Sequence, residues 1–134
     1  MKLYKLFGII LAIVFAIVGL LFAFVPDGVI SIFNFFSPPL GLPQAPLVDH
    51  NFFLILCVGY MYLVSVVAFM MFRQPANSTL PLLLAHAKSA SSVISILFFI
   101  LHAHYLIYIV NFVIDGSIGM IAVILYLKLR GKSN

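Results

Sequence analysis

The sequence predicts an all-α fold, an antiparallel bundle of four transmembrane helices, and three observations predict it. Hydrophobic residues make up 65% of the 134 positions. Charged residues make up 7%, where a soluble domain carries roughly 25%. The apolar residues fall into four long runs, and nearly all the cations sit at the ends of those runs. Such a chain has too little polar surface to cover a soluble globule. Four spans of ~20 residues with their connectors account for its length as a single domain.

The first span is expected over about residues 6–25, ending at Pro26-Asp27-Gly28. That tripeptide is turn chemistry, in which proline fixes φ and glycine permits a reversal. Lys2 and Lys5 ahead of the span would suit a secretory leader. The apolar run is too long for one, and no A-x-A site precedes the turn, so an uncleaved span is expected. The outer connector, about residues 26–51, begins with an apolar stretch at 29–36 that is too short to cross. It should lie at the headgroup level as a short interfacial helix. The stretch after it holds Pro38, Pro39, Pro43 and Pro46 and should be stiff. It reads either as a cover over the outer end of the bundle or as a plain linker.

The second span is expected over about 52–72 and the third over about 80–101. Ser78 and Thr79 can cap the third, and Pro81 falls in its first turn, where a missing N–H costs nothing. The fourth covers about 106–127. Only His102-Ala103-His104-Tyr105 separates it from the third, so these two helices must be antiparallel neighbours. Lys2 and Lys5 precede span one, Arg73 follows span two, and Lys128, Arg130 and Lys132 follow span four. These six cations fall on one side of a four-span topology, and the connectors on the other side hold no Lys or Arg. The positive-inside rule then predicts a protein of the inner (plasma) membrane with both termini cytoplasmic. The formal net charge of +4 is therefore an orientation signal and points to no nucleic-acid partner.

Span one carries Gly8, Ala12, Ala16, Gly19 and Ala23 at helical spacing, a small-residue stripe that lets backbones approach closely. Two readings stand: packing within the chain, or a face for a membrane-protein partner or a second copy. Span three carries Lys88, Ser91, Ser92, Ser95 and His102 on one stripe. Span four answers with His104, Tyr108, Asn111, Asp115 and Gly119, and Gly116 and Gly119 would allow close approach beside the carboxylate. Polar groups in lipid must find partners, so the two stripes should face each other or a shared cavity.

Lys88 lies ~12 Å from the inner start of its span, and Asp115 ~13 Å from the outer start of the fourth. Across a core of ~30 Å their levels differ by ~5 Å, within reach of a lysine side chain. Either charge alone would cost roughly 2.5–3.5 kcal/mol at a span centre. A Lys88–Asp115 ion pair is therefore expected, with Ser91, Ser92, Ser95, Tyr108 and Asn111 as hydrogen-bond neighbours. The pair reads as a lock between two helices or as a working polar site for a proton, an ion or a bound headgroup.

Asp49, His50, His102 and His104 gather at the outer boundary, but their spacing is unspecific and no metal site is predicted from it. His86 lies ~160° from Lys88 on the helical wheel and has no second histidine at its depth. That argues against a bis-histidine haem and favours a hydrogen-bonded structural histidine as the expectation. Cys57 stands alone, so no intrachain disulfide forms; it reads as a small packing residue. The chain has no glutamate and no tryptophan, and shows no Walker loop, G-x-S-x-G or H-E-x-x-H. No catalytic residue and no cofactor is predicted.

In its layout the chain resembles the small four-helix bacterial membrane proteins of the DoxX-like kind. The residues that carry the resemblance are Gly8, Gly19 and Pro26 in and after span one, the segment His86-Ala87-Lys88-Ser89-Ala90-Ser91-Ser92, and Asp115-Gly116 with Gly119. The long proline-rich outer connector departs from that layout. The resemblance implies an integral bundle, in some members similar to quinone-linked redox subunits, and transfers no catalytic residue. The sequence thus supports a non-enzymatic accessory or self-associating bundle with a Lys88–Asp115 seam. Its alternative is a small carrier or redox-linked protein that binds a proton, ion, lipid or quinone there.

Overall fold

The structure, a computed structural model, describes residues 2–47 and 52–131. Among them the chain is helical without strands. α1 runs Lys2–Phe24, α2 Pro26–Phe36, α3 Phe52–Arg73, α4 Thr79–Leu101 and α5 Leu106–Arg130, with a short 3-10 turn at Pro38–Leu40 after α2. α1, α3, α4 and α5 are each long and apolar enough to cross a membrane. Their outward faces are crowded with large apolar side chains such as Ile17, Leu63, Leu97 and Ile124. In water that surface would be untenable; in hydrocarbon it is the solvated surface.

The bundle is built from two tight antiparallel pairs, α1 with α3 and α4 with α5, while α3 meets α4 over a much smaller area. Glycine sets the closeness of each pair. A Cβ on Gly8 would stand 2.8 Å from the Ala68 carbonyl oxygen and 3.0 Å from the Phe72 nitrogen. A Cβ on Gly119 would stand 3.1 Å from Ser89 Oγ and 3.4 Å from its backbone nitrogen. Without a hydrophobic drive between spans, such backbone-to-backbone packing is the main attraction available. Ser65 adds a bond inside the first pair, donating to the Ala12 carbonyl at 2.7 Å.

The small-residue stripe of α1 therefore serves packing within the chain at Gly8, Ala12 and Gly19, all buried against α3. Ala23 is half-buried and Ala16 is exposed, contrary to the expected stripe. The reason is angular drift. Two steps of four residues carry Ala16 ~80° from Gly8, while Phe15 lies within ~20° of it and takes the inward place. Phe15 is buried in the core with Leu11, Val64, Ala68, Met71 and Leu84.

Two local expectations change. Pro26 does not open a turn. Val25, at φ −139°, breaks α1, and α2 restarts at once with Pro26 at its first position, where proline is preorganised. Neither Ser78 nor Thr79 caps α4 with its side chain; Asn77 Oδ1 accepts the Thr79 N–H at 3.1 Å. The tight bend between α4 and α5 spans residues 102–105 as read from the sequence.

Candidate functional site

Lys88 lies near the middle of α4 and Asp115 ten residues into α5. Lys88 Nζ donates to Asp115 Oδ1 at 2.9 Å, and the two residues are 1% and 2% exposed. The antiparallel register of the α4–α5 pair brings them level. The same register sets Ser92 against Phe112 and Ser95 against Asn111.

The other half of the bundle closes over the charge. The ammonium sits 3.7 Å from the centroid of the Phe15 ring on α1 and 5.1 Å from that of Tyr60 on α3. An aromatic face is the negative end of a quadrupole, so both rings attract the cation while excluding lipid and water. Tyr60 also donates its hydroxyl to the Ala87 carbonyl at 3.2 Å, tying α3 to α4 beside the pair. All four spans thus contribute to one enclosed point. Neither Phe15 nor Tyr60 was singled out in the sequence. Their only signal was proximity in depth, diluted among 14 phenylalanines and 6 tyrosines.

Outward from the pair runs a short polar ladder. Asn111 Nδ2 donates to Ser95 Oγ at 2.6 Å and to Ser91 Oγ at 3.2 Å. Ser92 Oγ donates to the Phe112 carbonyl at 2.9 Å. Gly116 and Gly119 supply the space, since a Cβ on Gly116 would approach Ser92 Oγ to 2.9 Å. Tyr108 stands apart from this ladder, contrary to expectation. It lies about one turn further out than Asn111, in ring contact with Phe98 and Tyr105, and donates to no seam residue among those described. Toward the inner ends of α4 and α5, Leu80, Leu84, Ala85, Ile118 and Ala122 are buried and apolar, part of one core cluster with residues of α1 and α3.

The histidines take no part in the seam. His86 is exposed, where a hydrogen-bonded histidine was expected; its wheel position turns it away from the Lys88 face. His102 lies tilted against Phe98 and His104 meets Phe99 edge-on. Asp49 and His50 lie outside the described residues. Among those described, no three His, Cys, Asp or Glu side chains gather as metal ligands. Cys57 is a half-buried free thiol. An apolar cleft of about 270 Å³ opens between α3 and α4, lined by Tyr60, Leu63, Val67, Leu83 and Ala87 among others. Its lining carries no charge.

The class these features define is an all-helical bundle of four helices suited to an integral membrane protein, with a neutralised charge pair at its centre. Comparison with known proteins found no family model, no curated protein and no solved structure that matches the chain. The DoxX-like resemblance rests on the residues that suggested it.

Proposed function

We propose that the protein is a non-enzymatic helical bundle of the inner (plasma) membrane, an accessory or self-associating component whose Lys88–Asp115 pair locks its third span to its fourth in register. The observation that carries this reading is the closure around Lys88. The ammonium has a carboxylate on one side and two aromatic faces on others, which leaves no side of it turned to a ligand. A site that exchanged protons or ions would need an approach, and the inner half of the seam is packed with apolar side chains.

A double-mutant cycle tests the reading. Lys88→Met and Asp115→Leu, each alone, strand the partner's charge in hydrocarbon and should each cost about 3–5 kcal/mol, read as lost folded yield and lowered Tm in detergent. The double variant should recover to wild type or beyond, because well-packed apolar replacements of a buried pair are often neutral or stabilising. Singles that fold well would count against a lock. The second reading, a carrier at the same seam, draws on the Asn111 ladder, since Asn111 is half-exposed and leads toward the pair. It predicts proton or ion flux across reconstituted vesicles that Asn111→Leu abolishes without loss of folded protein.

A further inference from the structure

The segment after span one carries an apolar face that the bundle does not use. α2 begins one residue after α1 ends and packs against α1 and α5. Its inward side is Pro26 and Ile30, and Ser37 behind it is buried with its hydroxyl donating to the Phe33 carbonyl at 2.8 Å. Its opposite side exposes Ile32, Phe35 and Phe36, with Phe35 75% exposed and set edge-to-face against Phe36.

The following strap is pinned onto α2. Asn34 donates its amide to the Ala45 carbonyl at 2.8 Å and accepts the Ala45 N–H at 2.7 Å, and Gln44 Nε2 reaches the Asn34 carbonyl at 3.4 Å. Gly41, at φ +67°, makes the bend that returns the strap. This pinning makes α2 and its strap one preformed unit. The unit carries Leu40 and Leu47, both exposed, in addition to the α2 face.

This face is continuous with the apolar surface of the spans. The end of α1 exposes Leu20, Leu21, Phe24 and Val25, part of the apolar surface that the spans present to hydrocarbon, and α2 follows directly. Residues 26–47 hold one acidic residue, Asp27, and no Lys or Arg. An amphipathic helix grips a membrane through buried apolar area and through attraction of cations to anionic lipid. Here the second contribution is missing. We infer that α2 and its pinned strap form a seat in the outer leaflet at the boundary of headgroups and acyl chains. The seat is held by apolar insertion alone, so its occupancy follows how loosely the lipids pack and is indifferent to their charge. The inference rests on membrane residence of the spans and is independent of what the Lys88–Asp115 pair does.

The absence of tryptophan makes the test direct. Phe35→Trp, and separately the exposed span position Ile17→Trp, each give a single emitter. The full chain is reconstituted in vesicles of dioleoyl phosphatidylcholine, in the same lipid with added phosphatidylglycerol, and in saturated phosphatidylcholine with cholesterol. Brominated lipids report depth. The expected result for Phe35→Trp is blue-shifted emission quenched by bromines near the headgroup. Quenching should be equal with and without phosphatidylglycerol and weaker in the tightly packed saturated mixture. Ile17→Trp should be quenched by bromines deep in the chains in all three. Red emission from Phe35→Trp that bromines leave untouched, with Ile17→Trp still quenched, overturns the inference and points to water or a protein partner over the face. Quenching that requires phosphatidylglycerol, or that ignores packing, overturns it too. Loss of quenching at both positions overturns membrane residence itself. Phe36→Trp serves in place of Phe35→Trp if that variant fails to fold.

Discussion

At the residue scale the organising fact is how one ammonium is satisfied in a medium without water. Lys88 meets a carboxylate at 2.9 Å and an aromatic face at 3.7 Å, and each contact comes from a different helix. The charge pair was legible in the sequence, because helical rise fixes depth and the helical wheel fixes face. The aromatic cover was not, because which span lies beside which is not encoded in the period of any single span. The two rings should separate experimentally. Phe15→Leu removes the nearer face and should cost about 2 kcal/mol, the upper range for a desolvated cation–π contact. Tyr60→Phe keeps a ring over the cation and loses only the bond to Ala87, so about 1 kcal/mol is expected. In a Lys88→Met, Asp115→Leu background the Phe15→Leu cost should shrink, because no cation remains to be covered. Thermal unfolding in one detergent checks both, and an undiminished Phe15 effect would reduce its role to packing volume.

At the element scale, glycines decide how closely helices pair, and they are not equivalent. Gly8 faces the α3 backbone, which has nowhere to retreat. Gly59 lies inside α3 with nothing within 4 Å of its would-be Cβ. Gly8→Ala should therefore force α1 away from α3 and cost on the order of 1–3 kcal/mol as overpacking. Gly59→Ala should gain about 0.5–1 kcal/mol from helix propensity alone. Matched Tm measurements give the sign of each, and a stabilising Gly8→Ala would contradict the close approach. The sequence showed that span one had a small-residue stripe but misplaced Ala16 within it, since spacings of four drift off a 3.6-residue period while Phe15 stays on it. It likewise showed a short helix near 29–36. The earlier start at Pro26 was hidden because proline and glycine suit a turn as well as a first helical turn. The Asn34 pin across eleven residues of sequence had no local signal at all.

At the scale of the whole molecule, the arrangement of α1, α3, α4 and α5 gathers the flanking cations. Antiparallel order places Lys2 and Lys5 at the start of α1, Arg73 at the end of α3, and Lys128 and Arg130 at the end of α5 at one end of the bundle. The opposite end, with α2, its strap and the 102–105 bend, carries no Lys or Arg among the described residues. The composition that made this legible is also what leaves activity illegible: a chain with 7% charged residues has few groups with which to advertise chemistry. Orientation by cation bias is distributed over three segments, so no single segment should control it. A fluorescent protein fused after Asn134 is expected to fluoresce and alkaline phosphatase fused there to stay inactive when the chain is produced in a bacterial inner membrane. Lys2→Gln with Lys5→Gln should leave both signals in place, since under the positive-inside rule Arg73 and the cations after α5 would still hold their ends inside. Adding Lys128→Gln, Arg130→Gln and Lys132→Gln should produce a mixed population with measurable phosphatase activity. Inversion by the first pair of changes alone would mean that span one dictates the topology and that the agreement among the other segments carries no weight.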